Sequence, residues 1–219
     1  MTGTTDNTTT KEGTSGAEPA EPMPPEFDKP PENPIALFRE WFDAAVERGV
    51  REPGVVALAT ADSSGRPSNR IIQTVSITDV GLIFTSHTNS VKGREIEANG
   101  WGSGLLYWRE TKQQVQLAGP VVQLPDHRSD ELWAARPTFT HAMSVASRQS
   151  EPLEDEEALR AEAVRLAASD APLPRPERWV GYQLVPSTVE FWHSRPDRLY
   201  GRLRYERTAE GWTSTRLQP

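Results

Sequence analysis

The sequence predicts a mainly β (α+β) fold, in which an antiparallel β-barrel has helices inserted around it. Runs rich in β-branched and apolar residues, such as residues 55–60 and 81–86, follow one another with short turns between them. This many consecutive strands in one chain would naturally close into a barrel. Apolar residues at helical spacing occur before these strands and again in the second half of the chain.

Residues 1–32 are rich in Thr, Gly, Glu and Pro, and we expect them to form a disordered N-terminal tail. They offer too little apolar surface to offset the entropy that ordering would cost. Residues 33–219 are expected to form one domain, which a chain of this length favours. The first helix is predicted to start at Asn33, with Pro34 in its first turn, and to stop at Gly49.

The remaining elements are predicted in chain order. Strands are expected at residues 55–60, 68–78 and 81–86, and residues 70–86 read as a β-hairpin with its corner at residues 79–81. A short helix at residues 92–99 ends at Gly100, and strands resume at residues 102–108 and 113–124. Helices are predicted at residues 126–136, 140–147 and 153–169. Three or four strands are expected in residues 179–217, including residues 188–193, 198–207 and 212–217.

The composition argues against several classes of function. The chain has 219 residues and a net charge of -7. It contains no run rich in Lys and Arg, so nucleic acid is not an expected partner. The absence of cysteine excludes disulfides and thiolate catalysis, and no apolar run approaches the roughly 18 residues of a membrane span. The four histidines show no paired metal-ligand spacing, so no metal is expected. We therefore expect a soluble, cytoplasmic protein without a membrane partner.

A candidate anion site lies where the predicted hairpin meets the next helix. Arg70 is a cation on the first strand, and Ser86, Ser90 and Lys92 bring hydroxyls and a second cation to a helix start. The same residues could equally be surface residues of a hairpin and a helix cap. A second polar cluster at residues 144–150 favours a binding site, because a merely solvated loop more often carries Gly, Pro or Asp.

Other polar and aromatic residues are ambiguous by themselves. Gln114 could simply face outward on its strand, and Trp192 could belong to the core. The arginines that follow Trp192 in this acidic protein indicate an anionic ligand or partner. The chain contains no Ser-His-acid motif, P-loop or Gly-x-Gly-x-x-Gly, so hydrolase and Rossmann functions lose their best support.

Taken together, these residues resemble the pyridoxamine 5'-phosphate oxidase family of FMN-dependent split-barrel flavoproteins, over residues 33–219. The order and spacing of several short motifs carry the resemblance. They are Arg-Ile-Ile at Arg70, Phe-Thr-Ser with Asn-Ser-Val-Lys at residues 84–92, Gln-Gln-Val at Gln113, Ala-Arg-Pro at Ala135, Ser-Arg-Gln-Ser at Ser147, Glu-Phe-Trp at Glu190, Arg-Leu-Tyr at Arg198 with Arg202, and the terminal Arg-Leu-Gln-Pro.

The resemblance implies an antiparallel split β-barrel with surrounding helices that binds FMN. It also implies a homodimer whose two flavin sites lie at the subunit interface. Arg70, Ser86 and Lys92 are implied to lie nearest the phosphate of the cofactor. The full implied set of FMN-binding residues is Arg70, Ile71, Ile72, Gln73, Thr74, Val75, Thr85, Ser86, Lys92, Gln114, Gln149, Ser150, Trp192 and Arg202.

The chain departs from the family at several positions. The family often has Arg immediately before the lysine that matches Lys92, and this chain has Val91 there. Where the pyridoxamine-phosphate oxidases carry Lys, Tyr and His, this chain has Val75, Leu132 and Tyr200. Losing a cation and two polar groups should weaken the binding of a phosphorylated pyridine by several kcal/mol if each was paired.

Residues 136–151 and 106–110 more closely resemble the phenazine-biosynthesis branch of the family, whose members oxidise reduced phenazine carboxylates. Apolar Val75 and Leu132 suit a flat hydrophobic ring system, and Arg136 and Arg198 could each pair with a substrate carboxylate. The implied substrate-binding residues are Arg136, Thr140, His141, Ser144, Arg198 and Tyr200.

The resulting hypothesis is an FMN-dependent oxidase acting on a small aromatic carboxylate, a dihydro- or tetrahydrophenazine. A hydride passes to the flavin N5, and oxygen re-oxidises the flavin. No catalytic side chain is evident, although His141 or Tyr200 could assist proton transfer. The alternatives are a pyridoxamine/pyridoxine 5'-phosphate oxidase and a flavin-binding protein without turnover.

Overall fold

The computed structural model describes residues 22–168 and 171–219, and this part of the chain contains five α-helices and ten strands. The helices are α1 Pro34–Glu47, α2 Val91–Asn99, α3 Asp126–Ala134, α4 His141–Ala146 and α5 Glu156–Ala167, and 3-10 turns lie at Pro25–Phe27 and Thr138–Thr140. The strands are β1 Val55–Ala61, β2 Pro67–Gln73, β3 Ser76–Ile77, β4 Leu82–His87, β5 Trp101–Trp108, β6 Gln113–Gln123, β7 Trp179–Leu184, β8 Thr188–His193, β9 Gly201–Arg207 and β10 Trp212–Arg216.

The strands form one curled antiparallel sheet, as the sequence predicts. Its main path runs β10-β9-β8-β6-β5-β1-β2, while β7 pairs with both β4 and β6. The long strand β6 joins the two parts, because residues 113–118 pair with β8 and residues 121–123 pair with β7. Gly119 lies at the change of partner, where a Cβ atom would stand 2.3 Å from the Val185 carbonyl oxygen. Only glycine allows that close approach of two backbones.

One face of this sheet encloses the core. Alternate residues along β1, β5, β6 and β8 are fully buried, as Leu58, Leu106, Leu117 and Val189 illustrate. Helix α1 covers the core with its apolar stripe, and the Asn33 side chain caps the helix by accepting from the Ile35 and Ala36 amides. The predicted start of this helix is therefore confirmed.

The predicted hairpin over residues 70–86 needs correction. The segment that was expected to be one strand is two, β2 and β3, separated by Thr74 and Val75. Strand β2 pairs with β1, whereas only Ser76 and Ile77 pair with β4. The chain thus crosses from one part of the sheet to the other at Thr74 and Val75, and the β-branched run gives no sign of this change of partner.

Two other predicted boundaries shift. Strand β9 begins at Gly201 instead of residue 198, because Arg198 has a left-handed φ of 62° that ends any extended run before it. Helix α5 begins at Glu156, with the Asp155 side chain as its cap, and the predicted end at Ser169 lies outside the described residues.

The predicted N-terminal tail also ends earlier than residue 32. Residues 1–21 lie outside the described part of the chain, but Phe27 is only 1% exposed and packs against Trp41. The Glu26 carboxylate accepts a 2.5 Å hydrogen bond from the Trp41 indole, and the Phe27 carbonyl accepts from Arg216. The buried Phe27 ring and these hydrogen bonds order a segment whose composition alone predicts disorder.

Membrane insertion finds no support among the helices of the described ranges, since none of them combines the length and apolar character that a bilayer span requires.

Candidate functional site

Arg70 lies at the centre of a polar network below the start of α2. Its guanidinium donates to the Leu58 carbonyl at 3.2 Å, to the Thr60 and Ser68 hydroxyls, and to the Glu95 carboxylate at 3.1 Å. Burial raises the pKa of Glu95, but hydrogen bonds from Ser68, Thr60 and Arg70 outweigh burial and hold that pKa below its ordinary value. Arg70 is therefore a fixed, half-buried cation with an ionised partner.

Lys92 lies on the first turn of α2 and is only 8% exposed. Its ammonium donates to the Ser86 hydroxyl at 3.1 Å and to the Gln149 amide oxygen at 3.3 Å. Ser86 also donates to Gln149 at 3.1 Å. The structure thus brings together a strand residue, a helix residue and a loop residue that the sequence places in two separate clusters.

The loop that carries Gln149 also covers the start of α2. Ser150, at a left-handed φ of 73°, accepts a 3.2 Å hydrogen bond from the Val91 amide. The Ser90 hydroxyl caps the same helix by accepting from the Gly93 amide. Two of the helix-start amides that were predicted to face an anion are therefore occupied by hydroxyls of the protein.

Positive charge gathers around His87 at the end of β4. Burial, followed by the charges of Arg178, Lys92 and Arg136, lowers the pKa of His87 from 6.5 to about 4, so its imidazole is neutral at pH 7. None of the three cations forms a salt bridge with any residue in the described ranges. Burial alone lowers the pKa of Arg136, in keeping with the lack of an acidic neighbour.

Arg136 is held by aromatic rings. Its guanidinium lies 5.2 Å from the ring centre of Trp133 and 5.1 Å from that of Trp179, and it donates to the Ser144 hydroxyl at 3.1 Å. Ser144 in turn donates to the Thr140 carbonyl. His141 stacks on Trp133 with its ring centre 4.1 Å away, and it has no exposed surface. These four predicted substrate residues therefore form one cluster, and a direct contact of His141 with substrate stays a prediction.

The other predicted site residues form a second group. Gln114, Trp192 and Arg202 are direct cross-strand neighbours on β6, β8 and β9. The Trp192 and Tyr200 rings lie 5.1 Å apart, and Arg198 is exposed in the loop before β9. Arg202 and Arg204 both pair with Glu190, at 2.7 and 2.8 Å, so these two arginines of the basic strand already have an anionic partner within the chain.

Within one chain, the two groups lie apart. Gln114, Trp192 and Arg202 occupy the sheet face opposite the core, as the alternation with buried Val115, Phe191 and Leu203 requires. Arg70 donates instead to Leu58 and Thr60, and β2 is four strand steps from β8, about 19 Å along the sheet at the usual strand spacing. No single chain assembles all of the predicted residues into one site.

The predicted cofactor strand contributes residues of three kinds. Ile72 is buried in the core, whereas Ile71, Gln73 and Val75 are exposed on the outer side. Thr74 has a buried hydroxyl without a hydrogen-bond partner in the described part of the chain. Thr85, next to Ser86 on β4, is half-buried. A bound polar group would satisfy the Thr74 hydroxyl.

Sequence reasoning missed Thr60, Ser68, Glu95 and Arg178. Two of them carry a local signal, because Ser68 stands two residues before Arg70 on one strand face and Glu95 stands three residues after Lys92 on one helix face. Arg178 carries none, since it donates to the Val145 and Ser147 carbonyls about thirty residues away in sequence.

Two family models match the chain. Residues 42–170 match the family model described as pyridoxamine 5'-phosphate oxidase, and residues 179–219 match the pyridoxine 5'-phosphate oxidase C-terminal dimerisation region. The chain belongs to the pyridoxamine 5'-phosphate oxidase family. Its fold, an FMN split barrel of that family, agrees with the predicted one.

Relatives within the pyridoxamine 5'-phosphate oxidase family fall into two groups by name. Dihydrophenazinedicarboxylate synthase of Pseudomonas chlororaphis is 50% identical over 89% of this chain and 88% of that protein. Pyridoxine/pyridoxamine 5'-phosphate oxidase of Paraburkholderia phytofirmans is 41% identical over 85% of this chain and 89% of that protein. The solved structure of PhzG from Burkholderia lata, in complex with tetrahydrophenazine-1-carboxylic acid, is 51% identical, with a TM-score of 0.89 over 91% of this chain and 98% of that one.

Proposed function

We propose that the protein is an FMN-dependent oxidase that dehydrogenates a reduced phenazine carboxylate and passes the electrons to oxygen. Three cations surround His87 and have no salt-bridge partner in the described ranges, namely Lys92, Arg136 and Arg178. This observation carries the proposal. Lys92 is buried and Arg136 and Arg178 are partly buried, so cations without a salt bridge in a protein of net charge -7 favour anions from outside the chain. A flavin phosphate and a substrate carboxylate are two such anions.

The residues present fit the phosphate end of FMN. Lys92 and Ser86 offer an ammonium and a hydroxyl 3.1 Å apart, Gln149 closes the site from its loop, and Arg70 stands behind it as a second cation. The Thr74 hydroxyl, between β2 and β3, is unpartnered in the described ranges and supplies a further donor. When bound, FMN supplies a two-electron acceptor that oxygen can regenerate.

The site is completed, in this proposal, by a second copy of the chain. Gln114, Trp192 and Arg202 lie on the outer face of β6, β8 and β9, and residues 179–219 match a dimerisation region. Ile71 and Tyr107 expose 65% and 57% of their surface on the outer side of the same sheet. An exposed apolar face of this kind favours a homodimer in which each flavin lies between two chains.

The substrate assignment depends on Arg136 and on what surrounds it. Its guanidinium is stacked over two tryptophans and has one hydroxyl partner, which leaves donors for a carboxylate. The relative with a dihydrophenazinedicarboxylate product in its name is 50% identical to this chain. Val75 and Leu132 replace the polar residues of the pyridoxamine-phosphate oxidases, which disfavours the vitamin B6 alternative.

Proton transfer needs little from the chain in this proposal. Tyr200 is half-exposed beside Trp192, so its hydroxyl is better placed than the fully buried His141 to relay a substrate proton to water, releasing its own proton as it accepts another. The chain mainly binds and orients the reacting rings and excludes water from them.

An anaerobic titration tests the proposed activity. The purified yellow protein should lose its flavin colour when a dihydro- or tetrahydrophenazine carboxylate is added without oxygen, and should recover the colour on aeration. Pyridoxamine 5'-phosphate at the same concentration should bleach it far more slowly. Rapid bleaching by pyridoxamine 5'-phosphate would reverse the ranking of substrates, and a yellow protein that neither compound bleaches would be a flavin carrier.

A further inference from the structure

Glu95 is a buried carboxylate to which the proposed reaction assigns no role. It is 9% exposed on α2, three residues after Lys92, and its pKa below the ordinary value keeps it ionised. The Ser68 hydroxyl lies 2.8 Å from one of its oxygens and 2.6 Å from the other, and Thr60 also donates to it. A buried charge is unfavourable unless its partners satisfy it, so these hydrogen bonds hold Glu95 at this position.

The two hydroxyls link Glu95 to Arg70. Thr60 and Ser68 are direct partners across β1 and β2, so their side chains stand side by side. Each hydroxyl accepts a hydrogen bond from the Arg70 guanidinium and donates its own hydrogen to Glu95. The direct contact between Arg70 and Glu95, at 3.1 Å, closes the arrangement.

Within the described residues, the Arg70 guanidinium has one N–H group left for a ligand. A guanidinium has five N–H groups, four of them on the two terminal nitrogens. The terminal nitrogens of Arg70 make four hydrogen bonds, to Leu58, Thr60, Ser68 and Glu95. Only the Nε–H has no partner in the described part of the protein.

We propose that Glu95 is a positioning residue for cofactor binding, which acts through Thr60, Ser68 and Arg70 to fix the Arg70 guanidinium with its Nε–H free for the phosphate of FMN. This inference rests on the proposed FMN site. A free arginine samples many rotamers, and fixing the side chain before the ligand arrives removes that entropic cost from binding. This gain in FMN affinity matters more in this chain because Val91 provides no cation at the neighbouring position.

The test separates geometry from charge. Glu95→Asp keeps the negative charge but withdraws the carboxylate by about 1.5 Å, the length of one C–C bond, from Ser68, Thr60 and Arg70. Ser68→Ala removes one linking hydroxyl and changes no charge. Glu97→Asp is the matched control, since Glu97 is exposed on the same helix. Dissociation constants of FMN and of riboflavin, which lacks the phosphate, are measured for each full-length protein by flavin fluorescence.

Glu95→Asp should weaken FMN binding by about tenfold and leave riboflavin binding within about twofold, because only the phosphate contact is disturbed. Ser68→Ala should also weaken FMN binding and leave riboflavin binding unchanged. If Glu95→Asp fails to fold, the result for Ser68→Ala decides whether Arg70 is positioned through these hydroxyls. Glu97→Asp should change neither ligand. An unchanged FMN-to-riboflavin ratio in both site variants overturns the positioning role. A wild-type protein that binds riboflavin as tightly as FMN removes the phosphate site itself, and the role of Glu95 with it.

Discussion

At the scale of single residues, the proposed site contains cations that have no salt-bridge partner in the described ranges. Lys92 and Arg136 each have neutral hydrogen-bond partners, a serine hydroxyl in both cases, and no salt bridge within the described ranges. Arg70 differs, because Glu95 neutralises it. His87 lies among these charges, and burial, followed by their positive potential, opposes its protonation.

His87 gives a prediction for the pH dependence of stability. Its pKa is about 4 in the folded chain and 6.5 ordinarily, so between these values the unfolded chain holds the proton and the folded chain does not. The contribution to the free energy of unfolding is fully present above pH 6.5 and is lost, by about 3 kcal/mol, as the pH falls to about 4. Denaturant titrations across this range should show a smaller loss for His87→Gln than for wild type.

His127→Gln is the control for this prediction, because His127 is exposed. Its profile should follow that of wild type. If His87→Gln and wild type lose stability in parallel between pH 6.5 and pH 4, burial and the surrounding cations do not lower the pKa of His87 as the structure indicates.

Sequence reasoning reached those residue contacts that are local. The Asn33 cap, the Ser90 cap and the left-handed Gly100 that ends α2 each depend on a few neighbouring residues. The salt bridge between Arg70 and Glu95 joins a strand to a helix 25 residues later, and the register of β1 and β2 decides it. A list of motifs cannot contain that information.

At the scale of elements, β-propensity identifies strands but not their partners. Residues 68–78 form one β-branched run in the sequence, yet its halves pair with β1 and with β4. The Val75 amide donates to the Ile83 carbonyl at 2.8 Å where the chain crosses between them. The Thr74 hydroxyl, which has no hydrogen-bond partner in the described ranges, lies at this crossing.

The N-terminal segment makes a stability prediction at the same scale. Phe27→Ala should lower the free energy of unfolding by about 3–5 kcal/mol, because the ring is 1% exposed and packs against Trp41 and Gly201. Phe139→Ala is the matched control, since Phe139 is 81% exposed and should cost less than about 0.5 kcal/mol. Equal, small losses in equilibrium denaturation would mean that residues 22–32 contribute nothing to the fold.

At the scale of the whole molecule, the sheet separates the predicted site residues into two groups. The Lys92 and Arg136 group lies beside His87 at the end of β4, and the Trp192 group lies on the outer face of β6, β8 and β9. The sequence resemblance to a family of dimers predicts both groups but not their separation, because the separation depends on which sheet face each strand presents. In the proposed site, a flavin held by both groups lies between two chains.

The most direct measurement of this claim mixes two variants. Lys92→Ala and Trp192→Ala should each purify without FMN, since each removes one side of every site. When the two proteins are unfolded together, refolded with FMN and desalted, random pairing should restore about a quarter of the wild-type flavin per chain, because half of the dimers are mixed and each has one intact site. Flavin content no greater than that of either variant alone would contradict a site shared between two chains.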